Sequence, residues 1–164
     1  MFEQVHGGIR NSYFYLKDSD FLRVNYGAAT MTTSTVISTT PNGVLPGMVS
    51  YISDDLEVAV FDGTSGIPNG IFGQGSADHS FENTPAVASG KVVVLMTGGI
   101  YELDYFETVA EDGVTDITYA AGDTLYASQN GLLTNDTTTS AYAIALVAKL
   151  PSSDDARLGI QLLI

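Results

Sequence analysis

The sequence predicts an all-β protein: a compact antiparallel β-sandwich or barrel-like domain with an extended N-terminal arm. The 164 residues include 17 glycines, with abundant Ser, Thr and Asn between apolar runs, a composition typical of many turns and few helices. The apolar runs are short and end at turn-forming pairs such as Asn130-Gly131. With 45% apolar residues, the chain suffices for one compact core. We therefore predict an arm over residues 1–40 and a β-rich domain over residues 41–164.

Residues 1–40 differ in character from the rest of the chain. They hold an aromatic cluster at Tyr13, Phe14 and Tyr15, followed by Phe21, and the Thr- and Ser-rich stretch TMTTSTVISTT at 30–40. β-Branched residues favour extended backbone, so this stretch is predicted to be a strand or an arm that becomes one on docking. Two interpretations of the aromatic residues remain open: they belong to the core of the domain, or they contact a neighbouring subunit.

Turn signals are dense after residue 40. MVSYIS (48–53) and LEVAVF (56–61) have strand composition, and Asp62-Gly63 is predicted to close the second strand like the end of a hairpin. The segment IPNGIFGQGSADHSFENTP (67–85) contains one more short apolar run, GIFG, but is predicted to be a long Gly-rich loop. Such a loop is either poorly ordered or a contact loop.

Residues 91–106 are predicted to form an antiparallel pair of strands. KVVVLM (91–96) is a continuous apolar run, which is typical of a strand covered on both faces. After Gly98-Gly99, the sequence IYELDYF alternates. One side carries Ile100, Glu102 and Asp104, and the other carries Tyr101, Leu103 and Tyr105.

The C-terminal part, from Gly122, contains four further short runs. They are TLYAS (124–128), LLT (132–134), YAIALVA (142–148) and RLGIQLLI (157–164). Their layout echoes that of residues 46–74, which indicates either chance similarity among Gly-rich strands or two related β halves packed together.

The charge balance excludes two classes of partner. Six Lys and Arg against 19 Asp and Glu give a formal net charge of −13. Because such a surface repels phosphates and anionic headgroups, we expect no nucleic acid and no membrane as partner. The chain has no cysteine, no signal-peptide pattern at its N-terminus and no apolar window near the roughly 18 residues of a membrane span. These observations predict synthesis in a cytoplasm.

No catalytic or metal-binding motif is recognised, so we predict no enzyme, no cofactor and no metal site. His6 and His79 are far apart in the sequence. One acidic group is either a solvated face or a set of oxygen ligands for a hard cation such as Ca²⁺. It consists of Glu102, Asp104, Glu107, Glu111, Asp112 and Asp116.

The order of turn and strand signatures resembles that of the decoration, or cement, proteins of tailed-bacteriophage capsids. The similarity covers about residues 40–164. Its motifs are Gly99-Ile100-Tyr101-Glu102, the run from Gly122 to Ser128, Gly131-Leu132-Leu133-Thr134 and Ala148-Lys149-Leu150-Pro151, with Asp62-Gly63-Thr64 and the run from Ile67 to Ile71 similar to the first half of the family. This chain has Ile144-Ala145 where many members have Gly after the Ile.

The resemblance implies a β-tulip-like structural protein that forms homotrimers on the outer surface of the virion capsid and bridges subunits of the major capsid protein. On this hypothesis the arm adds a strand to its neighbour. Its predicted contact residues are Tyr13, Phe14, Tyr15, Phe21, Leu22, Thr32 and Val36. The alternative is a non-enzymatic glycan- or receptor-binding β module of a virion or cell surface, against which the absence of Trp counts.

Overall fold

The computed structural model describes residues 10–21, 43–73, 90–138 and 140–164. These residues form two β units. The first contains β1 (Arg10–Leu16), the short helix α1 (Asp18–Phe21), β2 (Val49–Asp54), β3 (Glu57–Val60), β4 (Pro68–Phe72) and β5 (Lys91–Thr97). The second contains β6 (Ile100–Leu103), β7 (Thr124–Ala127), β8 (Leu133–Thr134), β9 (Ala145–Lys149) and β10 (Leu158–Leu162). The all-β prediction is confirmed.

The first five strands close into a barrel in the order β1-β3-β2-β4-β5. The last five form a curled sheet, a half-barrel, in the order β6-β10-β9-β7-β8. The division falls at the Gly98-Gly99 turn, so each unit is a continuous part of the chain. The two β units pack together, and both interpretations of the sequence echo, chance similarity or two related halves, stay open.

Two apolar clusters hold the units together. One fills the barrel, where the alternation of β5 turns Val92 and Val94 inward. The other lies between barrel and half-barrel, where Phe61 and Ile71 of the first unit pack with Leu125 and other residues of the second. Leu95 on the outer side of β5 contacts this second cluster, so β5 has apolar neighbours on both faces, as its continuous apolar run indicates.

Strand β1 lies within the region predicted as an arm. It pairs antiparallel with β5, with Arg10 to Tyr15 opposite Thr97 to Lys91, and parallel with β3, with Leu16 opposite Val58. Residues 10–16 therefore close the barrel, and Phe14 packs against its interior. Residues 1–9 and 22–40 of the predicted arm lie outside the described residues.

The predicted pairing of residues 91–96 with residues 100–106 is wrong. Both edges of β5 are occupied, by β1 and β4, while β6 pairs with β10, with Leu158 opposite Leu103. Gly98 and Gly99, with φ of 64° and 89°, carry the chain from the barrel to the half-barrel instead of folding it back. The predicted alternation is confirmed: Ile100, Glu102 and Asp104 are exposed, and Leu103 is buried.

Two further predictions between residues 62 and 85 need correction. Asp62-Gly63 does not end a hairpin, because β3 and β4 lie on opposite sides of β2. The Asp62 carboxylate instead accepts hydrogen bonds from the amides of Thr64 and Ser65, both at 2.9 Å, which shapes the crossing loop. The first residues of the predicted Gly-rich loop form β4, and residues 74–85 of that loop lie outside the described residues.

Candidate functional site

The predicted contact residues fall into three groups: those placed by their strand or helix, those whose side-chain exposure is described, and those outside the described residues. Tyr13 lies in β1 opposite Val93, and Phe21 ends α1. Phe14 is partly buried against the barrel interior, whereas Tyr15 is 47% exposed. Leu22, Thr32 and Val36 lie outside the described residues.

Tyr15 marks one end of the barrel. Its amide donates a hydrogen bond to the carbonyl of Leu56 at 2.9 Å, and the Nζ of Lys91 lies 4.9 Å from the centre of its ring, within the range of a cation–π contact. Tyr15 also stands opposite Glu57 in the β1–β3 register. The turn between β2 and β3 is thereby placed beside an exposed aromatic residue.

The β2–β3 turn holds its backbone in an unfavourable conformation. Leu56 has φ of 53° and is the only described residue other than glycine with positive φ. The left-handed region costs an L-residue about 1–2 kcal/mol, so glycine or asparagine usually takes such positions. The Leu56 side chain is 61% exposed, and Ile52 on β2, opposite Val58, is 55% exposed. We call Tyr15, Ile52 and Leu56 the apolar end of the barrel.

Sequence reasoning found Tyr15 but missed Ile52 and Leu56. The sequence contained a signal for this site. Short turns between strands usually carry Gly or Asn at positions of positive φ, and the turn Asp54-Asp55-Leu56-Glu57 contains neither. Six other large apolar side chains are exposed elsewhere on the described surface: Ile67, Ile100, Val114, Tyr142, Leu150 and Leu163.

A second candidate site surrounds Glu107, which is only 5% exposed. Its Oε1 accepts hydrogen bonds from Ser128 Oγ at 2.7 Å and from Asn130 Nδ2 at 3.0 Å. Burial raises the pKa of the Glu107 carboxyl, the two hydrogen bonds oppose that rise, and the neighbouring Glu111 adds to it. The hydroxyl of Tyr119, a residue of the core cluster, donates a hydrogen bond to the backbone carbonyl of Glu107 at 2.6 Å. This bond ties the backbone at Glu107 to the core.

The tight turn between β7 and β8 positions the donors of Glu107. Ser128 Oγ accepts hydrogen bonds from the amides of Asn130 at 3.1 Å and Leu132 at 3.2 Å while it donates to Glu107. Gly131 closes the turn with φ of 79°. Beside this turn is a pocket of about 350 Å³ lined by Glu107, Val109, Ala110, Glu111, Gly113 and Asn130.

Two other acids of the predicted acidic group, Glu102 and Asp112, act on local structure. Glu102 forms ion pairs with Lys149 and Arg157, both at 2.8 Å, and Asp155 binds the same two cations. Asp112 accepts hydrogen bonds from amides of its own loop. Among the described residues, no group of three or more His, Cys, Asp or Glu is arranged to hold a metal ion.

Comparisons with known proteins add no family assignment. No family model matches the chain, and no curated protein matches it. In the part of the chain that the structure describes, no helix has the length and apolar character needed to cross a membrane.

Proposed function

We propose that the protein is a capsid decoration protein, which binds the outer surface of a phage head as a homotrimer and bridges subunits of the major capsid protein. The sequence resemblance to that class supports the proposal. Its motif glycines, Gly99, Gly122 and Gly131, occupy turns with φ of 89°, 88° and 79° in the half-barrel. The motifs therefore coincide with conformational requirements of the fold, and the binding surface has to be found elsewhere.

The observation that carries the proposal is the apolar end of the barrel. A chain with net charge −13 exposes Tyr15, Ile52 and Leu56 around one turn, and the turn is strained at Leu56. Strained conformations persist where the surrounding structure enforces them, and they cluster at binding sites. Burial of these side chains against a protein surface gives roughly 25 cal/mol for each Å² of apolar area removed from water.

Weak contacts are sufficient for this function. A trimer presents three copies of the apolar end, and the second and third contacts form at the high effective concentration that the first one creates. The acidic remainder of the surface keeps decorated particles apart by charge repulsion. Residues 22–40, with Leu22, Thr32 and Val36, remain the proposed source of additional contacts.

Co-sedimentation with undecorated heads of the phage that encodes the chain tests the proposal. Wild-type protein is expected to bind saturably, and Leu56→Gly and Ile52→Asp are expected to reduce binding at least tenfold. Ile67→Gly removes a side chain that is 70% exposed on another loop and serves as the matched control. Absence of binding by wild-type protein, or equal binding by all variants, contradicts the proposed site.

Oligomeric mass, measured by light scattering, distinguishes a capsid contact from a self-contact. The apolar-end variants are expected to retain the mass of the wild-type oligomer. If they dissociate, the apolar end is a subunit interface. A glycan array covers the alternative function: specific glycan binding without binding to heads would favour a glycan-binding module.

A further inference from the structure

The pocket beside the β7–β8 turn contains a buried carboxyl group for which the described residues supply no counter-charge. No ion pair joins Glu107 to a lysine or arginine among the described residues. The charged neighbour of Glu107 is another acid, Glu111. Because buried charges in proteins are ordinarily paired, this arrangement indicates a site that is completed by a cation.

The hydrogen bonds of Glu107 leave one of its oxygens available. Ser128 Oγ and Asn130 Nδ2 both donate to Oε1. Among the described residues, none donates to Oε2, and Glu107 lines the pocket. The carboxyl group is thus held in place by one oxygen while the other can accept a hydrogen bond from a ligand.

The remaining lining determines which cation fits. Val109 and Ala110 form apolar walls, and Glu111, whose Oε1 accepts a hydrogen bond from the Gln129 amide at 2.9 Å, adds a second acid to the lining. A volume of about 350 Å³ exceeds what a single metal ion needs and accommodates one extended side chain. Aliphatic stems with charged heads pack along such walls while the head reaches an acid, and N–H donors with full positive charge form the strongest hydrogen bonds to carboxylates.

We propose that this pocket binds an alkylammonium or alkylguanidinium group, the chemistry shared by lysine and arginine side chains of a partner protein and by free aliphatic amines. Glu107 accepts the cationic head through Oε2, Glu111 strengthens the negative potential, and Val109 and Ala110 contact the methylene stem. The inference does not depend on the capsid function.

Titration of the ¹⁵N-labelled protein, followed by NMR, tests it. Nα-acetyl-arginine methylamide and Nα-acetyl-lysine methylamide represent protein side chains, agmatine represents a free amine, and Nα-acetyl-citrulline methylamide is the neutral counterpart of arginine. The cations are expected to shift the amides of Ala110 and Gly113 and the side-chain amide of Asn130 saturably, and the citrulline compound is not. Response to the blocked amino acids alone identifies a protein side chain as the ligand, and response to agmatine as well identifies a general cation site.

Three variants locate the interaction. Glu107→Gln removes the charge but retains an oxygen for Ser128 and Asn130, and is expected to weaken binding at least about tenfold, as for the loss of a hydrogen bond to a charged group. Glu111→Gln is a second variant that leaves the buried Glu107 unchanged, so its folding does not depend on a substitution there. A two- to tenfold loss of affinity for the cations is expected. Asp154→Asn removes the same charge at an exposed position outside the pocket and is expected to bind like wild type.

Two results would overturn the inference. The first is the absence of saturable shifts in wild-type protein, which would leave Glu107 a structural carboxyl held by Ser128 and Asn130. The second is an equal loss of affinity in all three variants, since that would show that the cations respond only to net charge.

Discussion

The strained turn at Leu56 predicts that removal of a large apolar side chain stabilises the protein. Leu56→Gly relieves a left-handed backbone that costs roughly 1–2 kcal/mol. The greater conformational freedom of glycine in the unfolded chain offsets roughly 0.5–1 kcal/mol of this stabilisation. Because the side chain is 61% exposed, its truncation removes little packing. The free energy of unfolding should therefore rise by up to about 1.5 kcal/mol, with each kcal/mol worth about 2–4 °C in Tm for a chain of this size.

Ile67→Gly provides the matched comparison. Ile67 is 70% exposed, is also a large aliphatic residue outside the strands, and does not have positive φ. The same substitution there is expected to lower the free energy of unfolding by roughly 0.5–1 kcal/mol, because only the entropic term operates. Thermal and urea unfolding, monitored by circular dichroism, measure both variants against wild type.

The opposite signs of the two effects make the reasoning refutable. If Leu56→Gly lowers stability as much as Ile67→Gly, the backbone at Leu56 is not strained in solution. A loss above about 1 kcal/mol would show that the Leu56 side chain is packed in the free protein. Either result removes the argument that the turn is maintained for contact with a partner.

Three further predictions concern the half-barrel. Gly131→Ala should lower the free energy of unfolding by about 2–4 kcal/mol, because the added Cβ would lie 2.2 Å from Val60 Cγ1 and the turn is left-handed. Gly122 also has a left-handed backbone, with φ of 88°, but no atom lies within 4 Å of an added Cβ there. Gly122→Ala should therefore cost only the backbone strain, about 1–2 kcal/mol. Glu107→Gln should become more stable relative to wild type as pH increases from 4.5. The pKa of the Glu107 carboxyl is raised in the folded state, so wild type loses stability when this buried group ionises, whereas glutamine does not ionise. Urea unfolding at pH 4 and pH 8 measures the difference between the two proteins, and a difference independent of pH contradicts the assignment. Asp155→Asn should lower Tm at neutral pH and low salt. Hydrogen bonds from Arg157 and other groups lower the pKa of Asp155, so the difference in Tm from wild type should shrink below pH 3.8, and salt should reduce it by screening. A difference that persists in acid and in high salt argues against an ionic origin.

The sequence predicts the strands of the half-barrel well because the signals there are local. TLYAS and LLT flank Asn130-Gly131, and β7 and β8 pair across this turn with Ala127 opposite Leu133. β10 lies within the last apolar run, whereas β9 begins at Ala145, three residues after the start of its run. Apolar alternation and positive-φ glycines determine these elements with little help from the rest of the chain.

The pairing of strands is harder to predict, because it depends on edges that distant segments occupy. Gly98-Gly99 has the composition of a hairpin turn, but β1 and β4 already satisfy both edges of β5. The same non-local pairing makes β1 a barrel strand and places Phe14 against the barrel interior. Nothing in the local pattern around Glu107 distinguishes it from its exposed acidic neighbours, since its burial arises from the β7–β8 turn that folds over it.

Closure of the barrel limits where strand addition can occur. Every barrel strand has neighbours on both sides, so among the described strands only β6 and β8 at the edges of the half-barrel can pair with an added segment. β8 contains two residues, which is too short to hold a partner strand, whereas β6 contains four and exposes Ile100. Glu102 on β6 is engaged by Lys149 and Arg157, a charged arrangement that discourages unspecific edge pairing. If residues 22–40 add a strand to a neighbouring copy, β6 is therefore the edge that this geometry favours, and Ile100→Lys should block such pairing without entering either apolar core.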